Sequence, residues 1–281
     1  MKSPIISHFQ AKDILAAIQS KKREVNVSLD LGMTTTPLLI TKQDVTFSDG
    51  QKLTVKQLQR TLRHENKCYF VRENDLEAIN IYSNTTDWMR TLYPTKSAPT
   101  TLVSGFLMHR IKNTDPLTDT KGKVAALGRI QNGVILDTSF GIGYTAMELA
   151  KAGKVISVDI DPAAFELSKI NPWSVPLFSN KNIEVRVGDI EEVVDTFAEG
   201  QFTHVLHDPP TFKLAGELYS LAFYDKLYRI LKNGGVLFHY IGDPNSELGF
   251  GVTKGVIERL KKAGFRNIER KEDAFGVVAF K

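Results

Sequence analysis

From residue 131 onward, short apolar runs of strand length alternate strictly with helical stretches, and no other feature constrains the chain as much. Runs at Gly133–Asp137 (GVILD), Lys154–Asp159 (KVISVD), Ile183–Val187 (IEVRV), His204–His207 (HVLH) and Val236–Ile241 (VLFHYI) are separated by helical patterns at 143–152, 162–170, 190–197 and 217–232. Strands joined by helical crossovers lie parallel, with right-handed connections, in a sheet covered on both faces. The end departs from this rule. After a helix at 252–263, Asn267–Arg270 and Gly276–Phe280 flank Glu272 and Asp273, which predicts a final hairpin and one antiparallel strand.

Ahead of this region the texture changes. Ile14, Leu15 and Ile18 recur at helical spacing between Ala11 and Arg23, with Lys21, Lys22 and Arg23 where cations complement a helix C-terminus. Strand-like runs follow at Glu24–Leu31, Thr36–Val45, Lys67–Arg72 and Leu76–Tyr82, with one short helix expected over 52–63. A small α+β domain with an antiparallel sheet is expected there. A polar, proline-marked stretch from Tyr93 to Thr120 reads as a passage between domains. The expected division is residues 1–92, a connecting segment at 93–124 and a second domain at 125–281.

Composition narrows the class further. With 281 residues, 42% hydrophobic and 24% charged, the chain is an ordinary globular protein of one or two domains. Cys68 is its single cysteine, so no internal disulfide or thiolate metal cluster can form and a reducing compartment is expected. No apolar run approaches the roughly 20 residues that cross a bilayer, and the first ten residues lack a signal-peptide core; cytoplasm is the expected location. Residues 1–130 carry 19 Lys and Arg against 12 Asp and Glu, while residues 131–281 carry 17 against 20. The basic first part suits an anionic partner such as RNA, and equally a mildly basic solvated surface.

In an open parallel sheet, ligands bind beyond the carboxyl ends of the strands where strand order reverses. The first strand of the alternating region runs into Asp137-Thr138-Ser139-Phe140-Gly141-Ile142-Gly143-Tyr144-Thr145-Ala146. Gly141 and Gly143 let backbone approach a ligand closely, and the helix behind them offers free N–H groups. Gly141, Gly143 and Ala146 also fit the GxGxxG/A pattern of dinucleotide binders. The flanking acids separate the two readings. A carboxylate four residues before the first glycine suits an ammonium group and repels a diphosphate. Asp159, with Asp161 just beyond, ends the second strand, where an acid can accept both ribose hydroxyls. Asp189 ends the third, where a carboxylate can take an adenine amine. Such acids suit a ligand with an amine, a ribose and an adenine but no phosphate, which describes S-adenosylmethionine.

The stretches ILDTSFGIGYTA, VISVDID, VGDI and HDPPTF stand in order at residues 135–146, 155–161, 187–190 and 207–212. They resemble the successive motifs of class I S-adenosylmethionine-dependent methyltransferases, over about residues 120–281. The resemblance implies a Rossmann-like, seven-stranded methyltransferase sheet with a final antiparallel hairpin, preceded by the small α+β domain, and S-adenosylmethionine as cofactor. It implies that Asp137 and the Gly141/Gly143 loop hold the methionine part, Asp159 the ribose and Asp189 the adenine. Ser139, Tyr144, Ile160, Ile190 and Asp208 complete the expected cofactor contacts. Ser139 departs from the pattern, standing where many members have the first glycine of the loop.

Methyl transfer from a sulfonium is an in-line displacement, so the enzyme's tasks are to position the nucleophile and exclude water. His207-Asp208-Pro209-Pro210-Thr211-Phe212 lies at the fourth strand tip, where the methyl group would emerge. Asp208 and the Pro209 carbonyl can accept hydrogen bonds from a planar amine, on a turn stiffened by Pro209 and Pro210. The stretch resembles the (D/N)PP(Y/F/W) signature of amino-methylating enzymes, with Thr211 in the aromatic position and Phe212 one place later. Cytosine C5 methylation needs a cysteine near this motif, and Cys68 is remote in sequence. Asp208, Asp243 and Asn245 could form a metal set for O-methylation, but Asp243-Pro244-Asn245 reads equally well as a turn, and no metal is expected. His207 and His239 are candidate general bases or packed core histidines.

Two further resemblances bear on the acceptor. Glu217-Leu218-Tyr219, Phe223-Tyr224 and Lys232-Asn233-Gly234-Gly235 are similar to polyamine aminopropyltransferases of the spermidine synthase type, while Ser139 to Gly143 and Val205 depart from that pattern. LMHRIKNTDP, INPWS, HDPPTF and LAGELYS resemble an archaeal-type group of predicted methyltransferases, in which Lys112, Thr114, Asp115 and Asp119 precede the fold near the methionine end. The expected activity is methylation of a nitrogen of RNA or another anionic substrate, with no membrane partner. The alternatives are aminopropyl transfer to a small-molecule amine and non-catalytic binding of RNA or cofactor.

Overall fold

A computed structural model describes residues 3–212, 214–243 and 247–281. The chain forms two compact units, residues 1–116 with 166–175 and residues 117–165 with 176–281. Among the described residues no helix is long and apolar enough to cross a membrane.

The second unit is built on one sheet. Its strands are β1 (Gly133–Asp137), β2 (Gly153–Asp159), β3 (Ile183–Val187), β4 (Phe202–His207), β5 (Leu231–Tyr240), β6 (Arg266–Lys271) and β7 (Gly276–Phe280). They lie in the order β3-β2-β1-β4-β5-β7-β6. The first five are parallel, and β7 runs antiparallel to both β5 and β6. Period-two alternation sends neighbouring residues to opposite faces. Leu136, Val205 and Leu237 pack on one face with Phe223, Leu227, Val256 and Leu260. Ile135, Leu206 and Phe238 pack on the other with Ala146, Leu149 and Leu127. Each such side chain contributes about 1.5–3 kcal/mol by leaving water, which fixes the register of the strands and hence of their tips.

The first unit holds three antiparallel sheets rather than one. Ile5–Ile6 pairs with Tyr69–Arg72 and through it with Asp75–Ala78; a second sheet joins Glu24–Val27, Thr36–Ile40, Asp44–Thr46 and Lys52–Thr54. The first helix begins earlier than the apolar spacing predicts, at His8, and ends at Gln19. Ser7 and Gln10 cap it reciprocally, each satisfying a free donor of the other's backbone. The same device, Thr54 with Gln57, starts the second helix at Val55 and leaves 52–54 as strand.

Residues 93–124 are not a linker. Met89–Tyr93, Thr100–Val103 and Phe106–Leu107 are strands of the third sheet, and Pro116–Ala126 is a helix. The run Thr100-Thr101-Leu102-Val103, three of its four residues β-branched, pairs with Arg90–Tyr93, and the left-handed Ser104-Gly105 turn returns the chain. The INPWS stretch belongs to the first unit, where the Trp173 ring N–H donates to the Leu31 carbonyl at 2.9 Å.

Candidate active site

The strand order reverses between β1 and β4, so their carboxyl ends open the crevice in which ligands of such sheets bind. Asp137 closes β1 and is wholly buried. Its Oδ2 accepts from the Ser157 hydroxyl at 2.7 Å and the Thr145 hydroxyl at 3.0 Å, while Oδ1 has no hydrogen bond of ordinary geometry. Burial pushes its carboxyl up to about 7; the two hydroxyls oppose that shift and the nearby Asp208 carboxylate adds to it.

The loop after β1 turns on Gly141 (φ +58°) and Gly143 (φ +83°), both left-handed. The Gly141 N–H donates to Asp159 Oδ2 at 2.9 Å, and the Asp161 N–H donates to Asp159 Oδ1 at 3.0 Å. The β2 tip therefore clamps the glycine loop through one partly exposed carboxylate. Ser139 is half-buried and Ile160 stands exposed beside Asp159. Asp161 and Asp189 both cap helices, accepting from the Ala163 and Glu191 N–H groups at 2.9 Å. Tyr144 is buried, and Ile190 packs into the core with Val158 and Val194, so Ile190 does not line the crevice. As first residue of a capped helix it turns its apolar side chain to the sheet.

These residues fit S-adenosylmethionine. A Cβ on Gly141 would meet nothing within 4 Å, so the loop leaves open space against which a ligand can lie. The Asp159 carboxylate can accept ribose hydroxyls alongside its two backbone donors, and Asp137, whose carboxyl has the Ser139 N–H nearby, immediately precedes the same loop.

At the fourth tip, Asp208 Oδ2 accepts from the Lys123 ammonium at 2.6 Å. Lys123 is 1% exposed, lies 3.2 Å from Asp119 Oδ2 and stands 4.3 Å over the Tyr240 ring. Burial alone would lower its pKa, but the Asp208 and Asp119 carboxylates outweigh burial and hold it above the usual value. The Tyr219 hydroxyl donates to the Pro210 carbonyl at 3.0 Å and pins the proline turn. Phe212 is 50% exposed, its ring edge-on to Tyr219 at 5.4 Å.

The histidines at the strand ends face inward. His207 is fully buried, with Nδ1 2.7 Å from the Thr138 hydroxyl and Nε2 3.0 Å from the Leu218 carbonyl, and burial lowers its pKa to about 4. With both nitrogens taken and no exposed edge, it braces the turn and cannot take a proton from substrate. His239 is likewise buried and bonded to the Tyr224 hydroxyl at 2.9 Å, its pKa held well below the usual value by burial and His207.

Among the described residues no group of three or more acids, histidines or cysteines is arranged for a metal; Asp243 is exposed and Asn245 lies outside those residues. The Lys112–Asp119 stretch divides. Thr114 and Asp115 line a cavity of about 560 Å³ in the first unit, Lys112 is exposed, and Asp119 is buried in the second. Cys68 is buried in the first unit, which raises the pKa of its thiol.

A family model described as "Methyltransferase domain" matches residues 136–239, the span from the end of β1 to the end of β5. The uncharacterized protein MJ1233 of Methanocaldococcus jannaschii is 39% identical over 96% of this chain and 93% of its own length. Two solved structures share the fold at low identity. A spermidine synthase in complex with the transition-state analogue AdoDATO aligns at TM-score 0.59 and 20% identity, over 72% of this chain and 73% of that one. The spermidine synthase from Thermotoga maritima aligns at 0.55 and 18%, over 72% of each. By its identity over nearly the whole length the chain belongs to one family with MJ1233, and its second unit carries the domain of the class I S-adenosylmethionine-dependent methyltransferases, with S-adenosylmethionine as cofactor.

Proposed function

We propose that the protein methylates a nitrogen of RNA or another anionic substrate at the Asp208-Pro209-Pro210-Thr211-Phe212 turn. The observation that carries this reading is the Asp208 carboxylate at the switch-point crevice, held as an acceptor by Lys123 and pinned from behind through Pro210 and Tyr219. Such a turn recognises a group that donates N–H bonds. S-adenosylmethionine, when bound, would supply an electrophilic methyl carbon on a sulfonium, its C–S bond breaking to leave a neutral thioether as the N–C bond forms and the nitrogen gives up one proton to water. Asp137 and the Gly141 loop would hold the methionine end, Asp159 the ribose and Asp189 the adenine edge. Asp208 and the Pro209 carbonyl accept from the acceptor nitrogen and aim its lone pair in line, and the exposed Phe212 ring offers a face for a planar base. His207 acts behind them as a brace. The excess of basic residues over 1–130 supports an anionic substrate.

A second reading draws on the spermidine synthases that share the fold: transfer of an aminopropyl group to a small amine at the same carboxylate. Mass spectrometry of RNA digests and of the amine pool from a strain lacking the gene tests both. Loss of one N-methylated nucleoside supports the first reading; an unchanged RNA profile with a missing polyamine overturns it in favour of the second.

A further inference from the structure

The motifs leave Lys123 without a role, although it is among the largest fully buried side chains of the protein. It lies on the helix Pro116–Ala126, one turn after Asp119, and reaches Asp208 across 85 residues of sequence. A buried ammonium is expensive unless paired, and Lys123 has two carboxylates and the Tyr240 ring around it. Asp119 is itself fully buried, so one acid would suffice to pair the lysine as a structural element. The second, shorter bond goes to the one acid of the three groups that is partly open to the crevice, with 17% of its side chain exposed.

We infer that Lys123 is a positioning residue for the transfer step: it keeps Asp208 ionised and in one orientation, so that the turn accepts hydrogen bonds and never donates one. The inference rests on the reading of Asp208 as the group that orients the acceptor nitrogen. It adds a rule about the substrate. A carboxylate that is always ionised rewards an acceptor atom that carries a hydrogen and gives nothing to one offering only a lone pair, so an amine or amide nitrogen is selected over a pyridine-type ring nitrogen. The groups bearing on this charge include Lys123, Asp137 and Tyr219 around Asp208, and Asp119, Asp208 and Tyr240 around Lys123. Tyr219 keeps its proton, since burial and Asp208 both raise its pKa. His207 stays neutral near pH 7 and adds no charge beside the Lys123–Asp208 pair.

Carbon-13 NMR of the full-length protein labelled at aspartate carboxyls, with the Asp208 signal assigned by Asp208→Asn, reads the claim without a substrate. In the wild type the Asp208 signal keeps its carboxylate position from pH 9 to 5. In Lys123→Met it titrates inside that window, and in Lys123→Arg it does not. Because Lys123→Met strands Asp119, the double variant Asp119→Asn/Lys123→Met provides the same test if the single variant fails to fold. An Asp208 signal that ignores the loss of Lys123 in either variant overturns the inference. With the methylated product as readout, Lys123→Met loses kcat on the acid side of the pH profile at unchanged KM for S-adenosylmethionine; a uniform loss across pH also contradicts it. If the signal behaves as stated and no nitrogen is methylated, the failure belongs to the proposed reaction and not to Lys123.

Discussion

The Gly141 N–H donates to Asp159 Oδ2 at 2.9 Å, so the glycine loop is tied to the acid proposed to take the ribose of the cofactor. Asp159→Ala removes both the loop's anchor and the ribose acceptor. Cofactor affinity measured by calorimetry should fall by about 2–3 kcal/mol, some 30- to 160-fold, as for lost hydrogen bonds to a charged group. Folding stability should also fall, by about 1–3 kcal/mol, since the Gly141 and Asp161 N–H groups lose their acceptor.

The two loop glycines should separate fold from binding. Gly143 has φ +83°, and a Cβ there would come within 3.1 Å of Leu177 and 3.2 Å of Phe140, so Gly143→Ala should cost about 1–3 kcal/mol of stability. Gly141 has φ +58° and open space, so Gly141→Ala should cost only about 1 kcal/mol of backbone strain while weakening cofactor binding at least tenfold. Urea midpoints paired with calorimetry distinguish the two outcomes.

Tyr219→Phe keeps the ring against Phe212 but removes the hydroxyl from the Pro210 carbonyl. Stability should drop by about 1 kcal/mol, and transfer should slow more than that because the turn holding Asp208 loosens. An activity loss no larger than the loss of folded protein would contradict a role in pinning the turn.

Asp137 and His207 should oppose each other in the pH dependence of stability. Asp137 has a folded value of about 7 against an ordinary 3.8, so the folded state binds more protons between them. Its contribution is full below about pH 4 and is lost as pH rises through 7. His207 has a folded value of about 4 against an ordinary 6.5. Its contribution is present above pH 6.5 and is lost as pH falls through about 4. Asp137→Asn removes the first effect, so urea midpoints between pH 5 and 7.5 should rise more steeply with pH in the variant than in the wild type.

The alternation of strands and helices made the second unit legible, because a sheet buried on both faces writes its strands as apolar runs. Asp137, Asp159, Asp189 and Asp208 were legible for the same reason: each closes an apolar run or stands one or two residues past one. Lys123 was not, since its partner is 85 residues away and a lysine in a polar stretch reads as solvated. The only local trace was the i,i+4 spacing of Asp119 and Lys123. His207 was legible as a strand-end histidine but not as a brace, because burial and the Leu218 carbonyl behind it come from tertiary packing. The first unit's capping boxes, Ser7 with Gln10 and Thr54 with Gln57, were written plainly and outrank the apolar spacing that placed both helix starts elsewhere.

Incubation of the purified protein with S-adenosylmethionine carrying a trideuterated methyl group and RNA from a strain lacking the gene, followed by nucleoside mass spectrometry, tests the central claim most directly. The expected result is a three-deuterium methyl group on a nitrogen that still carries, or has just lost, a hydrogen, and its absence with Asp208→Ala at unchanged cofactor binding. Label that persists in full with Asp208→Ala, or no label in RNA while decarboxylated S-adenosylmethionine is consumed in the presence of a polyamine, would contradict it.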